Sequence, residues 1–226
     1  MKFGVVIFPG SNCDRDLIDT LSKLSDQPVE ELWHKDTDLK GVDFIFLPGG
    51  FSYGDYLRSG AIAKLSPIMQ SVKEHADKGG YVMGICNGFQ ILCESGLLPG
   101  ALLRNDHQKF LCKNVYLRPI NTELKITNNL NSNKSYTIPI AHGEGNYYAD
   151  KATIEEIEAN NQVIFRYCDI NGNVTKESNP NGSLNNIAGI CNKGKNVFGI
   201  MPHPERCFSE YLFNTDGQAI FNSIIK

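Results

Sequence analysis

Short apolar segments alternate with amphipathic stretches along the first part of the chain. The apolar segments predict buried strands at residues 2–8, 29–33, 43–47 and 81–85. Apolar positions at helical spacing predict helices that end near residue 24, begin at residue 67 and cover residues 87–94. Buried strands that alternate with helices pair in parallel, with helices on both faces of the sheet. The sequence therefore predicts an α/β fold with a mostly parallel central sheet.

The pattern changes in the second half, where alternating segments are separated by Asn-rich turns. Segments between residues 112 and 139 predict antiparallel pairs, which form a smaller extension of the fold. Further elements are predicted as strands at 162–169, 186–192 and 196–201, and as helices at 154–158 and 217–226. An exposed loop is predicted at 127–134, and a further loop, rich in Asn and Gly, at 171–185. Because no repeat or linker interrupts the pattern, we expect a single domain over residues 1–226.

The composition is that of an ordinary globular protein, with 41% hydrophobic residues, 21% charged residues and a net charge of -3. Lys and Arg are scattered, so we expect no nucleic-acid surface. No apolar run is long enough to span a membrane, and the apolar N-terminus lacks a signal-peptide cleavage site. The 7 cysteines are dispersed and form no C-x-x-C pair. This distribution argues against a metal site or a disulfide framework and indicates the reducing cytoplasm.

The strongest chemical motif is GICNG at residues 84–88, where a predicted strand meets a predicted helix. It matches the G-x-nucleophile-x-G pattern of a nucleophile elbow, with cysteine as the nucleophile. The helix that begins at Asn87 directs unpaired N–H groups and its positive dipole end toward Cys86, which favours the thiolate. An isolated cysteine is more often an inert buried residue. The glycine spacing and the strand–helix context favour a nucleophile here.

A cysteine nucleophile needs a general base and a group that orients this base. The segment MPHPER at residues 201–206 follows a predicted strand and contains His203 and Glu205. Pro204 keeps His203 extended, and in an extended segment residues two positions apart point to the same side. Alone, the segment is more often a proline-rich turn with solvated side chains. Together with the elbow, it supplies the leading base and orienting carboxylate.

Two glycine-containing segments also follow predicted strands. LPGGFSYGDY at residues 47–56 exposes backbone N–H groups that can hold an oxyanion, with the N–H of Asn87 as the second donor. It matches neither G-x-G-x-x-G nor the lysine-bearing P-loop, so phosphate binding is disfavoured. AHGEGN at residues 141–146 either contacts the amino-acid end of a substrate or forms a simple turn.

Taken together, these motifs resemble those of class I (triad) glutamine amidotransferases. The resemblance rests on GICNGFQ at 84–90, PHPE at 202–205 and PGG at 48–50. Three longer motifs resemble, within this family, the glutaminase subunits of purine biosynthesis: PGSNCDRD at 9–16, GFSYGDYLR at 50–58 and AHGEG at 141–145. The similarity covers essentially the whole chain, and it implies the flavodoxin-like fold of this family. The triad motifs define only the class, and the longer motifs indicate the purine branch.

The resemblance implies that the chain hydrolyses glutamine to glutamate and ammonia through a cysteinyl thioester. The implied triad consists of the nucleophile Cys86, the base and acid His203 and the orienting carboxylate Glu205. The implied oxyanion donors are Asn87 together with Gly50 or Phe51. The residues expected to bind substrate are Gln90, His142, Gly143 and Glu144.

The resemblance also implies the partners. Ammonia is expected to pass to a separate, larger synthetase subunit that uses ATP and Mg²⁺ to amidate formylglycinamide ribonucleotide, with a small third subunit in the complex. No cofactor is expected in this chain. Two alternatives stay open. One is a stand-alone triad hydrolase of related fold, such as a γ-glutamyl hydrolase or a peptidase, and the other is a catalytically idle scaffold.

Overall fold

The computed structural model describes residues 1–25, 27–212 and 214–225. The α-helices in these ranges are α1 (Asp14–Ser25), α2 (Pro67–Asp77), α3 (Asn87–Glu94), α4 (Lys151–Ala159) and α5 (Asp216–Ile225). The strands are β1 (Phe3–Ile7), β2 (Glu30–Trp33), β3 (Phe44–Leu47), β4 (Tyr81–Ile85), β5 (Ala101–Leu103), β6 (Leu111–Pro119), β7 (Tyr136–His142), β8 (Asn146–Tyr148), β9 (Val163–Cys168), β10 (Ile187–Cys191) and β11 (Val197–Ile200). Among these helices, none combines the length and the apolar character that crossing a membrane requires.

One large sheet connects the two halves of the chain. Its strand order in the described ranges is β2-β1-β3-β4-β11-β10-β9-β6-β7. Neighbours are parallel from β2 to β11 and antiparallel from β11 to β7. The predicted α/β class is therefore confirmed. The antiparallel extension continues the same sheet, because β10 pairs with β11 on one side and with β9 on the other.

A second, two-stranded sheet was not predicted. It consists of β5 and β8, which pair antiparallel. Each strand has only three residues. So short a segment contains too few positions for an alternating pattern to be recognised. These strands matter because β8 follows directly on the AHGEG segment.

The core lies on the central strands of the sheet. All residues of β3, β10 and β11 are buried. The ring of Phe44 stacks on Phe46 at 4.6 Å and on Tyr81 at 5.6 Å between centroids. Burying a side chain of this size contributes about 1.5–3 kcal/mol. Helix α3 packs on β3, β4 and β11, and this contact places its first residue at the end of the central strands.

Both predicted loops contain buried residues, although residues 128, 129 and 131–134 of the first are exposed as predicted. Thr127 and Leu130 are buried in the first, and Asn181 and Ser183 are buried in the second. Polar side chains are buried there because they satisfy backbone groups: the hydroxyl of Thr127 donates to the carbonyl of Asn121 at 2.7 Å. An Asn-rich composition indicates a loop, but it does not distinguish an exposed loop from one that is hydrogen-bonded internally.

At Gly88, α3 lies close against the backbone of β3. A Cβ built on Gly88 would overlap the carbonyl oxygen of Leu47, which belongs to the backbone and has no freedom to turn aside. We therefore expect Gly88→Ala to lower the free energy of unfolding by more than about 2 kcal/mol, measured by urea denaturation. Gly143→Ala is the control, because a Cβ there lies 3.8 Å from Phe110. Equal losses in the two variants would contradict this account.

Candidate active site

The parallel pairing of β4 with β11 brings the two main motifs together. Both strands end at the same edge of the sheet, and the N–H of Cys86 donates to the carbonyl of Ile200 at 2.8 Å. Cys86 follows β4 directly, and His203 lies three residues beyond β11. Cys86 has φ 50° and ψ -105°, a left-handed conformation that non-glycine residues rarely adopt. Such backbone strain is typical of a nucleophile elbow.

His203 and Glu205 form a buried pair. The distance from Nδ1 of His203 to Oε1 of Glu205 is 2.6 Å, and each residue is 1% exposed. Burial favours the neutral ring, but the charges of Glu205 and Cys86 oppose it and hold the pKa of His203 well above its usual value. Nε2 of His203 has no hydrogen-bond partner among the described residues. This nitrogen is therefore available for proton transfer.

The predicted extended geometry around His203 needs a correction. The segment Pro204–Arg206 is a short 3₁₀ turn, not an extended strand. His203 itself keeps non-helical angles, as expected before proline. The pair still forms because two backbone contacts fix the turn. The N–H of His203 donates to the carbonyl of Pro139 at 2.8 Å, and the hydroxyl of Thr20 donates to the carbonyl of Glu205 at 3.2 Å.

A pocket of about 380 Å³ opens beside Cys86. The predicted site residues that line it are Gly50, Phe51, Cys86, Gln90, His142, Gly143 and Glu144. Asn87, His203 and Glu205 lie behind this surface. The predicted residues therefore lie around one cavity. Some of them line it, and the others lie behind the residues that line it.

The oxyanion donors can be sorted by their hydrogen bonds. The N–H of Phe51 donates to the carbonyl of Gly10 at 3.0 Å, so it is not free and Phe51 is removed from this role. The backbone N–H groups of Gly50 and Asn87 have no partner in the described part of the chain. The side-chain oxygen of Asn87 accepts from the N–H of Ser52 at 3.2 Å and ties the glycine-rich loop to α3. Gly50 and Asn87 stay as the candidate donors.

Charged side chains that the sequence analysis missed line the pocket. They are Asp55, Arg104 and Lys109. Burial raises the pKa of Asp55, a hydrogen bond with Ser59 opposes this effect, and the charge of Glu144 adds to it. Asp55 belongs to the GFSYGDYLR motif, so a signal for it existed. Arg104 and Lys109 had none, because they reach the pocket only through the fold.

A second cysteine lies close to the buried pair. Ligand atoms of Cys13, His203 and Glu205 lie within 4.8 Å of one another, which is a possible metal-binding arrangement. However, the guanidinium of Arg206 donates to Sγ of Cys13 at 3.0 Å, and this fixed positive charge opposes a cation. Cys13 is 3% exposed and does not line the pocket. It therefore fits a role behind His203 better than one as a nucleophile.

The fold and this site define the class of the protein. Residues 1–222 match the model of the CobB/CobQ-like glutamine amidotransferase domain. The chain is therefore a glutamine amidotransferase.

Relatives narrow this class. The phosphoribosylformylglycinamidine synthase subunit PurQ of Koribacter versatilis is 56% identical, with 100% of this chain and 97% of the relative covered. The PurQ subunit of Synechocystis sp. is 54% identical, with 98% and 99% covered. The solved structure of PurLQS from Thermotoga maritima matches with a TM-score of 0.86 and 42% identity, covering 99% of this chain and 97% of that chain. The chain belongs to the family of phosphoribosylformylglycinamidine synthase PurQ subunits.

The pKa of His203 provides a direct test of the buried pair. In Glu205→Gln the carboxylate is lost while burial stays, so this pKa should fall. Protonated His203 then persists only to lower pH, and the alkaline limb of kcat/KM for glutamine should move to lower pH. The rate should also fall by about 10²–10⁴-fold. Glu155→Gln, on the exposed face of α4, is the control; an unmoved alkaline limb in Glu205→Gln would exclude the assigned role.

Proposed function

We propose that this chain is the glutaminase subunit of a phosphoribosylformylglycinamidine synthase and that Cys86 is its nucleophile. One observation carries the assignment of the site: Cys86 lies on a strained strand–helix turn, faces a charged pocket and adjoins a buried His203–Glu205 pair. These are the parts that thiol-dependent amide hydrolysis requires. An idle scaffold would have no need to retain this strain and this buried charge.

The first half of the reaction forms a thioester. The raised pKa of His203 favours an imidazolium beside a Cys86 thiolate. The thiolate attacks the side-chain carbonyl carbon of glutamine, and the negative charge moves to the carbonyl oxygen. The N–H groups of Gly50 and Asn87 stabilise this oxyanion, and the N-terminal end of α3 adds its dipole. His203 gives its proton to the amide nitrogen, the C–N bond breaks and ammonia leaves.

The second half releases glutamate. Neutral His203 accepts a proton from water, and the resulting hydroxide attacks the thioester carbonyl. The C–S bond breaks, glutamate departs and the thiolate–imidazolium pair is restored. Glu205 holds the ring by its Nδ1 throughout, so that Nε2 faces the reacting atoms.

The pocket charges fit the amino-acid end of glutamine. We assign the α-ammonium to the carboxylates of Asp55 and Glu144, and the α-carboxylate to Arg104 and Lys109. An ammonium between two facing carboxylates removes their mutual repulsion. The amide nitrogen of Gln90 donates to the carbonyl of Glu144 at 2.6 Å, so Gln90 shapes this end of the pocket.

The ammonia acceptor follows from the family. The relatives are named as subunits of a synthase, and the Thermotoga maritima structure is titled PurLQS. We assign the ammonia from this chain to a large synthetase subunit that amidates formylglycinamide ribonucleotide with ATP and Mg²⁺, and we include a small third subunit. This chain itself uses no cofactor in the mechanism above. The sheet shared by both halves of the chain supports a single domain over residues 1–226. The seven free cysteines support a location in the reducing cytoplasm.

The identity of the nucleophile can be tested in the reconstituted synthase. Cys86→Ala should abolish product formation from glutamine and leave product formation from ammonium salt unchanged, because only the glutaminase step needs the thiolate. Both activities are measured as formylglycinamidine ribonucleotide formed.

Cys13→Ala is the matched control, since Cys13 is a second buried cysteine beside His203. It should retain glutamine-dependent turnover. If glutamine-dependent turnover survived in Cys86→Ala and disappeared in Cys13→Ala, the nucleophile would be Cys13 and not Cys86. Full glutaminase activity of the chain without partners would favour the stand-alone hydrolase.

The assignment of the ammonium subsite makes a separate prediction. Asp55→Asn removes one carboxylate that contacts the α-ammonium, and hydrogen bonds to charged groups contribute about 1.5–3 kcal/mol. KM for glutamine should therefore rise about 10–100-fold, with a smaller change in kcat, as measured by glutamate release in the complex. Asp77→Asn, an exposed carboxylate on α2, should leave both constants unchanged. An unchanged KM in Asp55→Asn would refute the subsite.

A further inference from the structure

A buried polar cluster lies beneath the pocket wall formed by residues 143–145. Its members are Asn105, His142 and Asn181, with 0%, 3% and 0% exposure. Sequence analysis expected His142 to bind substrate, and it singled out neither asparagine. The ring of His142 is engaged by the two amides on either side. Nδ1 lies 3.1 Å from Oδ1 of Asn105, and Nε2 lies 3.5 Å from Nδ2 of Asn181.

Backbone contacts fix the orientation of both amides. Nδ2 of Asn105 donates to the carbonyls of Lys109 at 2.8 Å and His142 at 3.0 Å, so Oδ1 must face the ring. Oδ1 of Asn181 accepts from the N–H of Ser183 at 3.1 Å, so Nδ2 must face the ring. His142 therefore carries its proton on Nδ1 and accepts at Nε2. It is a neutral ring, and burial together with the charge of His203 lowers its pKa to about 4.

The same two amides hold both ends of one glycine. The N–H of Gly145 donates to Oδ1 of Asn105 at 3.0 Å, and its carbonyl accepts from Nδ2 of Asn181 at 2.8 Å. A Cβ on Gly145 would overlap the ring of His142, so the chain passes directly over this ring. The N–H of Asn105 also donates to the carbonyl of Gly143 at 2.9 Å.

Glu144 is the residue between these two anchored glycines. Its carbonyl receives the hydrogen bond from Gln90, its side chain lines the pocket, and its Oε2 is buried without a hydrogen-bond partner in the described ranges. A buried carboxylate oxygen without a partner costs free energy unless a ligand supplies a donor. The position of Glu144 is thus set by hydrogen bonds from the cluster to the backbone of the glycines on either side of it.

We propose that Asn105, His142 and Asn181 form a polar clamp that positions Glu144 for the α-ammonium of glutamine. These three are positioning residues: they act through the backbone of residues 143–145 and contact no reacting atom. This inference rests on the proposed glutaminase function. In this proposal the ring of His142 does not bind substrate directly. It holds the pocket wall of residues 143–145 in place.

The test compares KM and kcat in the reconstituted synthase. Asn181→Ala removes the donor to Gly145 and the contact to His142. We expect KM for glutamine to rise at least about 10-fold, kcat to change less than about 3-fold, and amidation from ammonium salt to stay unchanged. The matched control is Asn196→Ala, because Asn196 is also buried and its amide donates to two backbone carbonyls, of Ala76 and Gly80, both at 2.8 Å. This control should lose stability and keep its KM.

A second pair of variants decides the question if Asn181→Ala fails to fold. His142→Asn keeps a donor near Oδ1 of Asn105, and His142→Ala keeps none. KM should rise in His142→Ala, whereas in His142→Asn it should stay close to the value of the unmodified chain. Unchanged KM values in folded clamp variants, or an equal rise in Asn196→Ala, would overturn the clamp while glutamine turnover continued. Failure of the proposed glutaminase function would instead appear as an unmodified synthase that forms product from ammonium salt and none from glutamine.

Discussion

The parallel pairing of β4 with β11 is the constraint on which the site depends. Cys86 and His203 are far apart in the chain, and this pairing alone brings the ends of their strands to one edge of the sheet. The pairing requires close contact on both sides: α3 presses on β3 at Gly88, and the turn after β11 hydrogen-bonds to β7 at Pro139. The parallel half therefore supplies the proposed nucleophile, and the antiparallel half supports the proposed base.

The electrostatic design follows from this placement. Burial would normally keep an imidazole neutral, and the adjoining carboxylate of Glu205 reverses that preference for His203. Among the described residues, the ring of His142 contacts two amides and no carboxylate, and burial together with the charge of His203 lowers its pKa to about 4. The pKa values of these two buried histidines thus shift in opposite directions. The charge of Glu205 is the largest of the causes that raise the pKa of His203, and Nδ1 of His142 faces the amide oxygen of Asn105 instead of a carboxylate.

Local motifs allowed the sequence to predict the centre of the site. The elbow and the His203–Glu205 pair each occupy a few consecutive residues, and glycine and proline spacing indicates their backbone geometry directly. The α/β class also followed from the order of elements. Arg104, Asn105 and Asn181 were missed because their neighbours in the pocket lie in distant parts of the chain, and no local pattern records such contacts. β5 and β8 were missed because three residues are too few for an alternating pattern to be recognised.

The walls of the pocket are glycine-rich, and this composition creates a physical problem. Glycine offers no side chain to pack, so apolar burial cannot hold such loops in place. The structure instead uses asparagines that are fully buried. Asn87 secures the loop after β3 through Ser52, while Asn105 and Asn181 secure the loop after β7 through Gly145. An amide carries both a donor and an acceptor, so one side chain can satisfy backbone groups of either kind. Replacing these residues by apolar ones of similar size would leave the glycine backbone unpaired, and the pocket would lose its shape although the core around it stayed intact.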